Sequence, residues 1–317
     1  MIWRRVMLAL ADVDGVPSQV VDRVGRIARG LQAQVELFAC VYEPDSVQPG
    51  ASDTPLDVAI SARVAELHRS LERVADELRQ QGVSVQVGAR WDFPFYEAVI
   101  RQAVRHEVDL LVLPARATGQ VGPQTLRYRE ARLIEECPCP LLLLKTNEVY
   151  SKGCIVAAVD PVHAYEVPDE LDETIIASAK TLSYALADVP VHLYHAVPRH
   201  PRAPTAEHGT AETLGGPRWS LARLRVANIA EHNAILSTNV HVEIGNLETS
   251  LPAFARRAHA DIVVMGALSR TYRQRAYLGH KAEQVLNAAE CDVLVVKPPG
   301  FHTTVGLNAA PAAPVPF

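Results

Sequence analysis

Gly266 and Gly279 bracket a segment whose residue types suit the binding of an anion. The run Met265-Gly266-Ala267-Leu268-Ser269 closes a short apolar strand, Ile262 to Met265. Leu278-Gly279-His280 precedes an amphipathic helix expected from about Lys281 to Ala289 and a strand from Val293 to Lys297. A strand, a glycine turn and a helix start together aim backbone N–H groups at a phosphate. The glycine permits close backbone approach, and the helix N-terminus adds partial positive charge. Arg270, Arg273 and Arg275 lie in the intervening loop, where they either assist an anion or are simply solvated. Earlier in the same half, the apolar strand Ile155 to Val159 ends in Asp160, a carboxylate suited to a ligand hydroxyl or to a turn cap.

The elements that must position these residues repeat. In the first half, apolar runs at 6–11, 35–41, 83–87, 108–113 and 141–145 alternate with helical spacing, as at Val20, Val24, Ile27 and Leu31. The second half repeats this with strands at 155–159, 191–197, 240–244, 262–265 and 293–297. Its helices are expected from Asp169, from Arg218 to Leu236 and from Ser250, with Pro252 in the first turn. Residues 198–217 read as a mobile loop. Short apolar strands without polar alternation, separated by helices, imply parallel sheets covered on both faces. The fold class is therefore α/β, two tandem open parallel five-stranded sheets, with domains at 1–147 and 153–298 and an unstructured Pro/Ala-rich tail at 303–317. An offset of 152 pairs Lys145 with Lys297, Pro114 with Gly266, Ala117 with Ser269, Arg127 with Gly279 and Tyr128 with His280.

The 317 residues, 48% apolar and 21% charged with a net charge of −5, are those of a globular chain and not of a general nucleic-acid binder. No apolar run is long enough to span a bilayer, and the N-terminal run at 6–11 is too short for a secretion signal. Five cysteines, an odd number set mostly in apolar runs, read as buried free thiols of a cytoplasmic protein. No metal site is expected: Cys137-Pro138-Cys139 lacks zinc spacing, and His192 and His195 point to opposite faces of one strand. No nucleophile elbow, Walker loop or paired acid and base marks a catalytic set.

Several stretches resemble the universal stress protein family in tandem form. They are Val156-Ala157-Ala158-Val159-Asp160, His195-Ala196-Val197, Val263-Val264-Met265-Gly266, Leu278-Gly279-His280-Lys281-Ala282-Glu283-Gln284-Val285 and Cys291-Asp292-Val293-Leu294-Val295-Val296-Lys297, with Trp91-Asp92-Phe93-Pro94-Phe95-Tyr96-Glu97-Ala98 in the first half. The resemblance implies a Rossmann-like sheet of order 3-2-1-4-5 and a role in stress survival, including indirect resistance to DNA damage. It also implies ATP or another adenine nucleotide in the second domain only, with at most weak ATPase activity. Asp160 and Ala196 would face adenine and ribose. Gly266, Ser269, Gly279 and His280 would line the phosphates, with Met265 and Lys281 beside them. Members pair through their last strands, which implies an internal pseudo-dimer here and leaves a homodimer open. Two positions depart from the signature: Ser269 replaces a glycine, strained by ~1–2 kcal/mol if its φ is positive, and His280 replaces a small polar residue. In the first half Pro114, Ala117, Arg127 and Tyr128 occupy all four signature positions, which argues against nucleotide there. The competing reading is a nucleotide-independent interaction protein or small-ligand carrier.

Overall fold

The computed structural model describes residues 2–43, 56–115, 126–151, 153–162, 169–199, 211–269 and 277–307. Two compact units emerge: one comprises Ile2–Gln120, Arg127–Leu141 and the chain from His302, the other Leu142–Phe301 with a short piece ending at Leu126.

In the first unit, β1 (Arg5–Ala9) is followed by α1 (Ser18–Leu31), β2 (Gln34–Val41), α2 (Leu56–Gln80), β3 (Val85–Trp91), α3 (Phe95–Arg105), β4 (Leu110–Pro114) and α4 (Tyr128–Glu136); β5 (Leu141–Leu144) comes next in the chain, its residues from Leu142 grouped with the second unit. The strands are parallel in the order β3-β2-β1-β4. The chain entering β5 is tied to β4 by the Leu111 N–H to the Pro140 carbonyl, 2.9 Å. Residues 6–9 of β1 and 110–113 of β4 are buried, as strands covered on both faces require. Helix α2 stops where Gly82 takes φ +81°, the left-handed conformation that glycine adopts without steric cost. On α3, the fully buried Arg101 guanidinium is held by Asp92 (2.6 Å) and Glu97 (2.9 Å), so the acidic residues of the Trp91–Ala98 motif neutralise a core cation.

The second unit runs β6 (Cys154–Ala158), α5 (Asp169–Ala185), β7 (Val191–Val197), α6 (Ala211–His232), a 3-10 turn at Ser237–Asn239, β8 (Val240–Ile244), α7 (Leu247–Arg257), β9 (Ala260–Gly266), a hairpin of β10 (Leu268–Ser269) and β11 (Tyr277–Leu278), α8 (His280–Ala288) and β12 (Asp292–Val296). Its parallel strands lie in the order β8-β7-β6-β9-β12, the expected 3-2-1-4-5.

The duplication is visible in the elements. Helices α3 and α7, and α4 and α8, start and stop 152 residues apart. Asp109 takes the N–H groups of Arg4 and Arg5 (2.7 and 2.9 Å) at the entry to β1. Its counterpart Asp261 takes those of Ser151 and Gly153 (3.2 and 2.9 Å) at the entry to β6. Three expectations need correction, and one element was not anticipated. Helix α7 begins at Leu247 behind Asn246, so Ser250 is inside it, giving its hydroxyl to the Asn246 carbonyl (2.7 Å), and Pro252 is beyond the first turn. The proposed loop at 198–217 is already helical from Ala211; the helix breaks at Gly216, whose φ of 59° only glycine adopts freely, and resumes after it. The β10–β11 hairpin was absent from the sequence reading because two-residue strands leave no periodic pattern. Thr304, placed in the unstructured tail, gives its N–H and hydroxyl to Glu136 (3.0 and 2.9 Å); residues 308–317 lie outside the described part.

Candidate functional site

The second unit brings its chemistry to the C-terminal ends of β6 and β9, adjacent strands whose outer neighbours run in opposite directions through the sequence. Open α/β sheets bind ligands at this point. Beyond β6, the Val159 N–H still bonds the Tyr194 carbonyl of β7 (3.0 Å). Asp160 follows, with its side chain 58% exposed and its N–H held by the Asp172 carboxylate at 3.0 Å. His195 is buried and directs Nδ1 to the Val159 carbonyl at 2.9 Å. A carbonyl only accepts, so Nδ1 carries the proton; the Asp160 carboxylate is 3.8 Å away. Arg225 of α6 bonds the Pro161 carbonyl at 2.6 Å and closes this corner. Ala196 lies next to His195 on β7, half-buried.

From β9 the chain passes Met265, which is buried, and Gly266, then turns through the β10–β11 hairpin into α8. The Gly279 N–H is already given to the Ala267 carbonyl (2.9 Å), which fixes the helix start against the end of β9. Helix hydrogen bonding begins with Glu283 N–H to Gly279 O (2.9 Å), so the first-turn N–H groups at His280, Lys281 and Ala282 are those a helix leaves for a ligand or water. The His280 and Lys281 side chains are exposed. Neither glycine is in a left-handed conformation: Gly279 has φ −70° and Gly266 ends a strand. Ser269 is extended within β10, so the strain considered for a serine there does not arise.

Gly266 has a packing role of its own. A Cβ at this position would stand 2.9 Å from Cδ2 of Leu171 on α5. Arg270, Arg273 and Arg275 fall outside the described residues. Sequence reading missed Asp172 and Arg225, whose contacts with 160–161 reach across 12 and 64 residues and leave no local pattern.

In the first unit Pro114 ends β4 and Arg127 precedes α4, with the Arg127 N–H taken by Glu130 at 2.8 Å; Ala117 is outside the described part. Elsewhere, His192 and His241 form a stacked pair on the opposite face of β7 from His195, with Nδ1 and Nε2 3.0 Å apart. Burial lowers the pKa of both. None of the five cysteines is in a disulfide and four are buried; burial pushes the Cys291 thiol up to about 12. No cluster of three metal-ligating side chains occurs among the described residues. No helix among them is long and apolar enough to cross a membrane.

Residues 162–297 match the profile of the universal stress protein family. The second half is a universal stress protein domain. Similarity extends well beyond it. Universal stress protein E of Escherichia coli K12 is 25% identical over 289 residues, 89% of each chain. Universal stress protein E of Photorhabdus laumondii is 24% identical over 71% of this chain and 73% of the relative. Among solved structures, a universal stress protein of Archaeoglobus fulgidus DSM 4304 superposes with a TM-score of 0.67 at 14% identity, covering 92% of this chain and 98% of its own. The chain thus resembles a tandem universal stress protein, and its α/β units have the universal stress protein fold.

Proposed function

We propose that this chain acts in a stress response through an adenine nucleotide held by its second universal stress domain. What carries the reading is the geometry of β9, hairpin and α8. Gly266, Ser269 and Gly279 keep the family spacing, and Gly266 ends the strand beside the one that delivers Asp160. In this arrangement the Asp160 carboxylate meets the ribose hydroxyls and the adenine lies against Ala196. The phosphates meet the first-turn N–H groups of α8, with His280 and Lys281 as hydrogen-bond-donating neighbours. His195 and Asp172 act as positioning residues that fix the backbone at 159–160. The reading places the protein in the cytoplasm. Any hydrolysis in this reading is weak, as the family resemblance implies.

Isothermal titration of the full chain with ATP tests this. Saturable heat at up to millimolar nucleotide is expected, with at least a tenfold loss, about 1.4 kcal/mol, in Gly279→Arg, which copies the first half. Absence of heat, or unchanged affinity in that variant, removes the reading.

A second reading, an apolar-ligand carrier without nucleotide, draws on a groove of about 850 Å³ between α6 and β8. Trp219, Ala230, Ile235, Val240 and Val242 line it, and the Trp219 indole N–H is buried with no hydrogen-bond partner. A hydrophobic molecule released on denaturing the purified protein and identified by mass spectrometry would favour this reading over the first.

A further inference from the structure

Two of the first unit's replaced signature residues, Pro114 and Arg127, line a cleft of about 240 Å³ at the ends of β1 and β4, together with Asp12, Asp14, Gly15 and Arg129 among others. We propose that this cleft is a second, chemically different site, which takes a compact hydroxylated organic dianion through Arg127 and Arg129.

The electrostatics point there. Among the described residues neither arginine has an ion pair, whereas Arg132 and Arg101 of the same unit do. Arg132 of the same helix bonds Glu135 and Glu136 (2.7 and 3.2 Å), and Arg101 is held by two carboxylates. The Nε of Arg129 is buried without a hydrogen-bond partner, and its guanidinium lies over the Phe95 ring at 5.8 Å, which limits its orientation. Burial holds its pKa below the usual guanidinium value; Glu130 and, less strongly, Asp12 oppose this through space, while the neighbouring Arg127 adds to it. A half-desolvated cation with unmet donors costs free energy that a bound anion offsets. Two guanidinium forks suit a phosphate ester or a dicarboxylate better than a single-point anion.

The opposite wall is acidic. Asp12 accepts the Asp14 N–H (3.0 Å), and Asp14 is 3.8 Å from Arg73, which leaves carboxylate acceptors for ligand hydroxyls. A nucleotide held in the family's manner fits poorly. Pro114 has no N–H, Glu130 occupies the Arg127 N–H, and the volume is below the ~300–1,000 Å³ of pockets for drug-sized ligands. Recognition has passed from backbone amides in the second unit to side-chain guanidinium groups in the first, so this inference stands independently of the nucleotide reading.

The test titrates the full chain with glycerol 3-phosphate, malate and inorganic phosphate, following binding by calorimetry. Saturable binding of the phosphate ester or of malate is expected, and which of the two binds tighter distinguishes phosphate from dicarboxylate chemistry. Arg127→Gln/Arg129→Gln should weaken it at least tenfold, while Gly279→Arg leaves it unchanged. Should the double variant unfold by circular dichroism, Arg127→Gln alone serves, with a several-fold loss expected. The inference is overturned if no probe saturates at tens of millimolar, if the arginine variants bind as tightly as the parent, or if Gly279→Arg abolishes binding.

Discussion

At the residue scale, the proposed function and the packing give Gly266 two separable reasons to lack a side chain: approach of a phosphate in the proposal, and the Leu171 side chain that a Cβ would meet at 2.9 Å. The colliding atom is the tip of a flexible side chain, so Gly266→Ala should cost about 1–3 kcal/mol in urea unfolding. Adding Leu171→Ala relieves the clash, so the two changes should be non-additive in a double-mutant cycle. If ATP affinity recovers together with stability in the double variant, the glycine serves packing; if affinity stays low, it serves the ligand. Additive stability effects would show that Leu171 is not what constrains the position. Both glycines were legible in the sequence as a spacing. The competing role of Leu171 was not, because it depends on a contact 95 positions away.

At the element scale, β7 shows how strand periodicity assigns function. His195 faces the corner at Val159 and Asp160 and His192 the other side, where it stacks on His241 of β8 with ring centroids 5.1 Å apart. Burial disfavours the charged form of both rings, and at His241 the neighbouring His192 adds to this while Glu243 opposes it. Their folded pKa values lie below the unfolded value of about 6.5. The unfolded chain therefore binds more protons in that range. The pair's stabilisation is complete above about pH 6.5 and is lost as pH falls below it. Urea midpoints at about pH 7.5 and 5.5 should show a smaller acid loss in His192→Phe/His241→Phe than in the parent. An equal loss would mean that other groups dominate. Alternation along the strand was readable from sequence; the partner of His192 was not, since strand pairing is set by register between distant segments.

At the scale of the whole molecule, the compact units do not divide at the polar connection near residue 150. Leu142–Tyr150 belong with the second unit, where the fully buried Asp292 accepts the Lys145 and Thr146 N–H groups (2.8 and 3.2 Å) and the Tyr150 hydroxyl (2.9 Å). A fragment beginning at residue 153 deprives this carboxylate of these three donors, and loss of partners from a buried charge costs up to about 3–5 kcal/mol. It should unfold at markedly lower urea than a fragment beginning at Leu142. Equal midpoints would show that Asp292 is satisfied in another way. Sequence composition places a linker where polar residues gather, but the buried side-chain bonds that set a unit's extent are non-local.

The sequence by itself determined the α/β class, the duplication and the order of elements, because strand and helix periodicities are local and each half repeats them at a constant offset. It also marked Gly266, Gly279 and Asp160 as the positions of interest. Tertiary structure decided what surrounds them. Asp172 and His195 hold the backbone at Asp160, Leu171 contests Gly266, and the replaced signature of the first half becomes a cleft with two unpaired guanidinium groups among the described residues. These outcomes rest on packing between helices and strand ends far apart in the chain, which no short-range pattern encodes.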